Sequence, residues 1–280
     1  MSDTQREANS APLDHAPLLR NKHYEAPSVF SPEALLKVAC LQKSLPAGQV
    51  PEVCVLDPDG DILRDVLRRE QAIRHASWAC YHTDLYQITV GEVSVGLIGN
   101  AVGGSFAVLL AEQLFASGCR LLVSITSAGQ ILPTRKPPYF VLIDRALRDE
   151  GTSLHYLPAS KYAFLNQELA IRVHGVLKDF SPAVARGAAW TTDAPYRETE
   201  QAIAYAQGEG ILAVEMEAAS LYAFAQARQK PVVCFAHVTN QMGTGEGDFE
   251  KGESDGSVDA LRLLAAIVTA HVETRSSTAT

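Results

Sequence analysis

The hydrophobic positions in the central part of the chain follow two alternating periods. Short apolar runs, such as 52–56 and 231–239, have the length and composition of buried strands. Between such runs, apolar residues recur at the spacing of one helical face, as Ile62 and Val66 do. The pattern therefore predicts strands that alternate with helices, and no internal repeat interrupts it.

The predicted elements give a fold class and a domain organisation. Strands are predicted over 52–56, 120–126, 138–148, 185–192, 211–214 and 231–239, a two-stranded hairpin over 85–100, and helices over 60–73, 104–118, 167–180, 198–210, 257–273 and an Ala-rich run ending at Gln226. This alternation predicts a three-layer α/β/α sandwich around a mixed, mostly parallel twisted sheet. We expect a single domain over 22–273, a disordered polar tail over 1–21 and a frayed C-terminus over 274–280.

Composition and charge narrow the classes of function. The chain has 280 residues, of which 47% are hydrophobic and 20% are charged, as is typical of soluble globular proteins. Lys and Arg number 24 and Asp and Glu number 32, which gives a formal net charge of -8. Because no long basic run is present, neither nucleic acid nor an anionic membrane is a predicted partner. No apolar run reaches the roughly 18 residues that span a bilayer.

The cysteines and the N-terminal segment favour a cytoplasmic protein. The five cysteines are far apart and form no CxxC pair. We therefore expect reduced structural thiols, and neither disulfides nor a metal site. The N-terminal segment lacks the apolar core of a signal peptide.

Small or polar residues follow six of the predicted strands. In open α/β sheets, ligands bind beyond the carboxyl ends of the strands, so these residues predict one shared pocket. Strand ends are polar and turns use glycine in many proteins, so a set of ordinary turns is the alternative. The residues in question are Gly60 and Arg64, Gly103 to Ser105, Ser127 and Gly129, Asp193 with Tyr196 and Arg197, Glu215 and Glu217, and Asn240.

Two acids, Glu215 and Glu217, stand where a predicted strand passes into the Ala-rich helix. Residues two apart lie on different sides of a helix, so only one of the two can hold a given ligand. A buried carboxylate at a helix start can accept hydrogen bonds from two neighbouring hydroxyl groups, which suits a ribose. A solvated acid in the first helical turn is the alternative.

Several short segments together resemble the nucleoside phosphorylase family, and most of all its uridine phosphorylase branch. They occur in the family's order over roughly residues 50 to 245. Each segment alone is a weak match, the ribose-binding signature least so, and the ordered set is strong. The segments are "GDILR" (60–64), "NAVGGSFA" (100–107), "SITSAGQI" (124–131), "DEGTSLHYLP" (149–158), "TTDAPYRE" (191–198) and "VEMEAASLYAFA" (214–225).

The resemblance implies a reaction and a set of binding residues. In the family, phosphate replaces the base of a nucleoside at the anomeric carbon, and no metal or organic cofactor takes part. The matching positions imply that Gly60, Arg64 and Ser127 hold phosphate. Met216 and Glu217 match the residues that hold ribose, with Glu217 on the 2′- and 3′-hydroxyls. The resemblance also implies a symmetric homo-oligomer, either a hexamer or another dimer-based assembly.

The base site is matched more loosely. Tyr196 and Arg197 lie in the segment that leads to the base, and Asn240 stands where purine-cleaving relatives have a proton-donating Asp. An amide can hydrogen-bond but cannot act as an acid, which favours a pyrimidine over a purine. The catalytic residues implied by the resemblance are therefore Arg64, Glu217 and Asn240.

Some positions depart from the family's pattern. The family's second phosphate-binding Arg falls on Ser124, and the His that crosses between subunits falls on Ser31. The Arg that a neighbouring subunit lends has Arg74 as its nearest cationic counterpart. Ile62 and Phe106 stand where the two Gly-rich turns have Pro. These departures leave the nucleophile open.

Three hypotheses follow from the sequence. The first is a cytoplasmic pentosyltransferase that cleaves a pyrimidine nucleoside, such as uridine, with phosphate. The second is a nucleosidase that uses water, since Ser124 replaces a cationic residue. The third is a nucleoside-binding protein of the same fold that does not turn its ligand over. All three take a nucleoside as the partner.

Overall fold

The computed structural model describes residues 16–178, 180–181, 183–241 and 251–278. Residues 1–15 of the predicted tail lie outside this part. The described strands are β1 (Val53–Asp57), β2 (Ala72–Arg74), β3 (Tyr86–Val90), β4 (Val93–Gly99), β5 (Leu121–Gln130), β6 (Tyr139–Asp149), β7 (Tyr162–Phe164), β8 (Ala185–Thr192), β9 (Ile211–Glu215) and β10 (Val232–Gln241). The α-helices are α1 (Pro32–Lys43), α2 (Asp61–Arg68), α3 (Gly104–Ala116), α4 (Gln167–Leu177), α5 (Glu200–Gly208), α6 (Ala218–Arg228) and α7 (Ser257–Thr278).

Side-chain caps explain where several helices begin. The hydroxyl of Ser31 accepts a hydrogen bond from the backbone N–H of Ala34, and Pro32 follows in the first helical position. Asn166 caps α4 in the same way by accepting from Leu169. Ser31 therefore has a local structural role at the start of α1.

The predicted helix over 60–73 is too long, because its last residues belong to an edge strand. The helix ends at Arg68, and Glu70 then adopts a left-handed conformation with φ 56°. Residues 72–74 pair antiparallel with β3 as strand β2. At the other end of the chain, α7 continues past the predicted domain boundary at 273 to Thr278.

The sheet is mixed, as predicted, and five of its strands form a ring. The strand order is β10-β6-β8-β9-β5-β1-β4-β3-β2, and β10 also pairs with β5. The pairings of β1 with β4 and β5, of β10 with β5, and of β8 with β6 and β9 are parallel. Those of β5 with β9 and of β6 with β10 are antiparallel. The α/β class is confirmed, and the ring is a feature that the periodicity did not predict.

The core lies on both faces of the central strands and holds their carboxyl ends in place. All five residues of β1 are buried. Tyr222 in α6 is fully buried, and its hydroxyl donates to the carbonyl of Ile143 and accepts from the N–H of Cys234. Because β1, β5 and β10 run parallel, their carboxyl ends meet at one edge of the sheet. The antiparallel strand β9 brings its own carboxyl end back beside β5.

Candidate functional site

The turn between β1 and α2 requires glycine. Gly60 has φ 74°, and a Cβ atom there would lie 2.5 Å from Oδ1 of Asn100. The carboxylate of Asp57 accepts a hydrogen bond of 2.9 Å from the N–H of Leu63, so Asp57 caps the first turn of α2. Burial raises the pKa of Asp57 to about 7. Gly60 therefore has a conformational role in this turn, and the phosphate contact that the resemblance implies stays a prediction.

Arg64 projects from the first turn of α2 and is engaged by neighbours in its own turn. Its side chain is 56% exposed. The guanidinium donates to the carbonyl of Asp59 at 2.9 Å and to the carboxylate of Asp61. The other oxygen of Asp61 lies 2.6 Å from Nζ of Lys251. Two cations near the predicted phosphate site thus converge on Asp61.

Ser127 donates to a carboxylate of the protein. Its backbone N–H makes a hydrogen bond of 2.6 Å to Oδ2 of Asp59. Ser127 and Asp59 line a small cleft that continues past Thr126 to His237 and Asp255. In this structure a carboxylate therefore holds the donor that the sequence assigned to phosphate.

His237, on β10, forms one wall of this cleft. Its ring stacks on Phe140 with centroids 4.6 Å apart and an angle of 20° between the planes. Burial is the main cause that lowers the pKa of His237 to about 4, and Lys251 adds to it. The imidazole is therefore neutral at physiological pH and packs against Phe140 as an uncharged aromatic ring.

The structure separates the roles of the two glutamates. Glu215, at the end of β9, accepts hydrogen bonds of 2.7 Å from the backbone N–H groups of Glu217 and Ala218. Its other oxygen accepts from the hydroxyl of Thr191. Three donors thus use both of its oxygens, and Glu215 has a structural role at the start of α6.

Glu217 is buried but keeps one oxygen available. The residue is 1% exposed, and its Oε1 accepts a hydrogen bond of 2.7 Å from the N–H of Gly103. Its Oε2 has no hydrogen-bond partner among the described residues. Burial, followed by repulsion from Glu215, raises the pKa of Glu217 to about 8, while the hydrogen bond from Gly103 and the nearby hydroxyl of Thr126 oppose the rise. A buried carboxylate with an unused oxygen can accept hydrogen bonds from a ligand.

A close approach of two helices places Gly103 against this carboxylate. Gly103 has φ 89° and precedes α3. A Cβ atom on Gly104 would lie 2.1 Å from the hydroxyl oxygen of Ser220 in α6. Only glycine allows α3 and α6 to approach so closely, and this contact sets the position of the Gly103 N–H.

Thr126 joins the two halves of the site. It lines the cleft that contains Asp59 and Ser127, and its hydroxyl lies close enough to Glu217 to oppose the rise of that carboxyl's pKa. The predicted phosphate and ribose ends are therefore contiguous. The antiparallel pairing of β9 with β5 explains the contact, because Val214 lies opposite Gly129.

Of the remaining predicted residues, some lie near Glu217 and others are exposed on the surface. Met216 is half-buried directly before Glu217. Asn240 follows a bulge in β10 and pairs with Gly129 of β5. Tyr196 is 99% exposed, and Arg197 is exposed in the same short 3-10 turn. The described contacts do not bring Tyr196 or Arg197 to Glu217.

Sequence reasoning missed two residues of the site. Asp59 stands directly before Gly60 in "DPDGD", so the acids that flank this glycine were the available signal. Thr126 gave no signal of its own, because it lies inside an apolar run and its contact depends on the antiparallel placement of β9. Ser124, by contrast, is buried in β5, and its hydroxyl has no partner in the described part of the chain.

The described residues give no sign of a metal or membrane site. Within them, no three His, Cys, Asp or Glu side chains are grouped so that they could hold a metal ion. None of the helices in the same part is long and apolar enough to cross a bilayer.

Comparison with protein-family models gives a match over most of the chain. Residues 52–272 match the model described as "Phosphorylase superfamily". A guanosine phosphorylase from Halorubrum lacusprofundi is 25% identical over 232 residues, which cover 80% of this chain and 90% of the relative. A protein of Acanthamoeba polyphaga mimivirus is 28% identical over 153 residues, which cover 54% of this chain and 59% of the viral protein.

Solved structures show the same fold. A uridine phosphorylase from Vibrio fischeri, complexed with 6-hydroxy-1-naphthoic acid, superposes with a TM-score of 0.65 at 18% identity. The superposition covers 81% of this chain and 93% of that one. A second structure of the Vibrio fischeri enzyme gives a TM-score of 0.64 at 16% identity, over 78% of this chain and 91% of that one. At these identities the likeness concerns the fold.

Proposed function

The chain belongs to the phosphorylase superfamily, and from this membership we propose that it cleaves the N-glycosidic bond of a nucleoside. The observation that carries the proposal is Glu217, a buried carboxylate of which one oxygen has no hydrogen-bond partner among the described residues. A ribose placed there offers two adjacent hydroxyl groups. Each hydrogen bond to a charged acceptor contributes about 1.5–3 kcal/mol.

The environment of Glu217 links its ionisation to ligand binding. In the free protein, burial favours the neutral carboxyl, because its pKa is raised to about 8. Two ribose hydroxyls would supply the donors that the ionised form lacks. We therefore propose that nucleoside binding ionises Glu217 and releases a proton near neutral pH. The hydrogen bonds from the two hydroxyls to Glu217 would then hold the ribose in position for the reaction.

The reaction at the anomeric carbon needs a nucleophile on the face of the sugar away from the base. The bond between C1′ and the base nitrogen breaks, and its electron pair leaves with the base, which takes up a proton. The transition state resembles an oxocarbenium ion, so nearby anions stabilise it. The cleft of Asp59 and Ser127 adjoins Glu217 through Thr126, and we propose that it holds the nucleophile.

Two nucleophiles are candidates for this cleft. Phosphate, which would give ribose 1-phosphate, is the nucleophile that the sequence predicts from Gly60, Arg64 and Ser127. Water, which would give free ribose, is favoured by one observation: the N–H of Ser127 already donates to Asp59.

We propose a pyrimidine as the base, because Asn240 carries a neutral amide where a proton donor would serve a purine. Asn240 is close to the site in the sheet, since it pairs with Gly129 of β5. Tyr196 and Arg197 would need to move from their exposed positions to reach the same base. A nucleoside panel that includes uridine and guanosine tests this proposal directly.

A homo-oligomer in the cytoplasm and the absence of a cofactor remain proposals. A neighbouring subunit that lends a cation would have to use Arg74, which is exposed on β2 and lies 2.6 Å from Asp84. Mass measurement in solution, with and without Arg74→Ala, would show whether the chain assembles and whether this residue matters for assembly.

The experiment for the proposed function measures base release. The protein is incubated with each nucleoside in buffer with and without phosphate, and the free base is quantified by chromatography. We expect release from at least one nucleoside, and loss of release in Glu217→Ala with the fold retained by circular dichroism. Binding without release would show a nucleoside-binding protein. If Glu217→Ala binds nucleoside as well as the wild type does, Glu217 is not the ribose ligand.

A further inference from the structure

The cleft beside β1 already contains an anion, which is the carboxylate of Asp59. Its Oδ2 accepts a hydrogen bond of 2.6 Å from the N–H of Ser127, at the carboxyl end of β5. The carbonyl of the same residue accepts from Arg64 at 2.9 Å. Asp59 is thus fixed from two sides, by the donor and by the guanidinium that the sequence assigned to phosphate.

The cations near the cleft are both engaged by one carboxylate, that of Asp61. Arg64 is bound to Asp61, and Lys251 lies 2.6 Å from the second oxygen of the same carboxylate. Neither cation lines the cleft. Within the described part of the chain, the residues that line the cleft include four Asp side chains and no Lys or Arg: Asp57, Asp59, Asp61, Ile62, Ile125, Thr126, Ser127, His237, Asp255, Gly256, Ser257 and Ala260.

The strand that might supply another cation supplies none. Ser124 occupies the position in β5 where the family has an Arg, and it is buried with an unpartnered hydroxyl. A phosphate ion in the cleft would therefore meet the side chains of Asp57, Asp59 and Asp255, while Arg64 and Lys251 are already engaged by Asp61. Like charges at such short range repel by several kcal/mol at the effective dielectric of a protein surface, about 20.

We infer that Asp59 acts as a built-in anion that fills the phosphate position, excludes inorganic phosphate and leaves the cleft to a neutral nucleophile. The inference deepens the proposed function and rests on it for its catalytic meaning. Asp59 is then the residue that determines which nucleophile the protein uses. The neutral nucleophile that fits a small cleft lined by carboxylates and hydroxyls is water.

The reaction balances with water alone. The water oxygen forms a bond to C1′ while the bond from C1′ to the base nitrogen breaks. One proton of the water passes to a carboxylate that lines the cleft and then to solvent. The base takes up one proton from solvent. The products are free ribose and free base, and no other reactant is needed.

Direct titration of phosphate into the full-length protein, without nucleoside, tests the exclusion. Wild type, Asp59→Ala and Asp59→Asn are compared by calorimetry at constant ionic strength. Asp255→Asn is the matched control, because it removes a charge from the same cleft and leaves the contact between Asp59 and Ser127 intact. Asn also tolerates the left-handed backbone of position 255, where φ is 57°.

We expect no phosphate binding by the wild type in the millimolar range. Asp59→Ala should bind phosphate at least about tenfold more tightly, because it loses both the occupant and its charge. Asp59→Asn should lie between the two, since its amide oxygen can still accept from Ser127. Asp255→Asn should gain clearly less affinity than Asp59→Ala, because it loses a charge but keeps Asp59 on the N–H of Ser127. Circular dichroism and thermal unfolding show that each variant is folded.

Three results would overturn the inference. The wild type could bind phosphate as tightly as Asp59→Ala, Asp255→Asn could gain as much affinity as Asp59→Ala, or phosphate could accelerate base release by the wild type. Failure of the proposed function is a separate result, because it would appear as no base release from any nucleoside while the phosphate titrations keep their order.

Discussion

Replacing Glu217 with glutamine should make the free protein more stable and the complex weaker. The substitution Glu217→Gln keeps the shape of the side chain and removes its charge. In the folded protein the pKa of Glu217 is raised to about 8 from an ordinary 4.5. At pH 7 the side chain of Glu217 is ionised in the unfolded chain and largely neutral in the folded one. Ionisation therefore stabilises the unfolded state relative to the folded state by about 3 kcal/mol.

Part of this gain is lost in the variant. The amide NH2 would occupy the position of Oε2, which has no partner among the described residues, and burying it there costs about 1–2 kcal/mol. The net effect on the free energy of unfolding is a gain of about 1–2 kcal/mol. In a chain of this size that raises the melting temperature by a few degrees.

The pH dependence gives the prediction a sign that can be checked. A raised pKa means that the stability from the neutral carboxyl is fully present below about 4.5 and is lost as the pH rises through about 8. The advantage of Glu217→Gln over the wild type should therefore widen from about pH 4.5 to about pH 8 and remain constant above it.

Nucleoside binding should change in the opposite direction. The amide loses one charged acceptor for the ribose, which is worth about 1.5–3 kcal/mol, or roughly 10- to 150-fold in affinity. Calorimetric titration and thermal unfolding of the same samples measure both effects. A variant that binds nucleoside as tightly as the wild type does, or that is less stable at every pH, would refute the reasoning.

Three further predictions concern neighbouring residues. Glu215→Ala should lower the free energy of unfolding by about 2–5 kcal/mol, because buried donors lose their acceptor, and chemical denaturation measures this loss. Gly104→Ala should cost about 1–3 kcal/mol, since its new Cβ would meet Ser220, whereas Gly175→Ala, which meets nothing within 4 Å, should not destabilise α4. His237→Gln should remove an acid-induced loss of stability. Because the pKa of His237 is lowered to about 4, its contribution to the free energy of unfolding is present above about pH 6.5 and falls by about 3 kcal/mol towards pH 4. Unfolding measured at several pH values tests this.

The periodicity of the chain predicted most of the fold because most elements form locally. Strand β1 and helix α3, for example, lie within a few residues of their predicted bounds. The short edge strand β2 was missed, because three residues carry no measurable period and the strand exists only by pairing with β3. The ring of strands was missed for the same reason, since it depends on pairings between distant parts of the chain.

Some local features of the candidate site could be predicted from residue type, whereas the binding roles of its residues stay predictions. Glycine at position 60 indicated a tight turn, and the structure gives it a positive φ. The sequence also indicated that only one of Glu215 and Glu217 could hold a ligand, and the hydrogen bonds identify Glu215 as the structural one. The occupant of the Ser127 N–H was not predictable, because contact between residues 59 and 127 depends on how β1 and β5 align.

The ring of five strands gives the site an uneven mechanical setting. Its seam between β5 and β9 is closed by only two paired positions, whereas β6 and β8 share eight. This seam is where local opening of the fold costs least, and Glu217 follows directly on one side of it while Ser127 lies on the other. A molecule held at both places acts as a clasp across the seam. A bound ligand should therefore slow amide exchange in β5 and β9. Local opening of the ring of strands would then depend on whether the site is occupied.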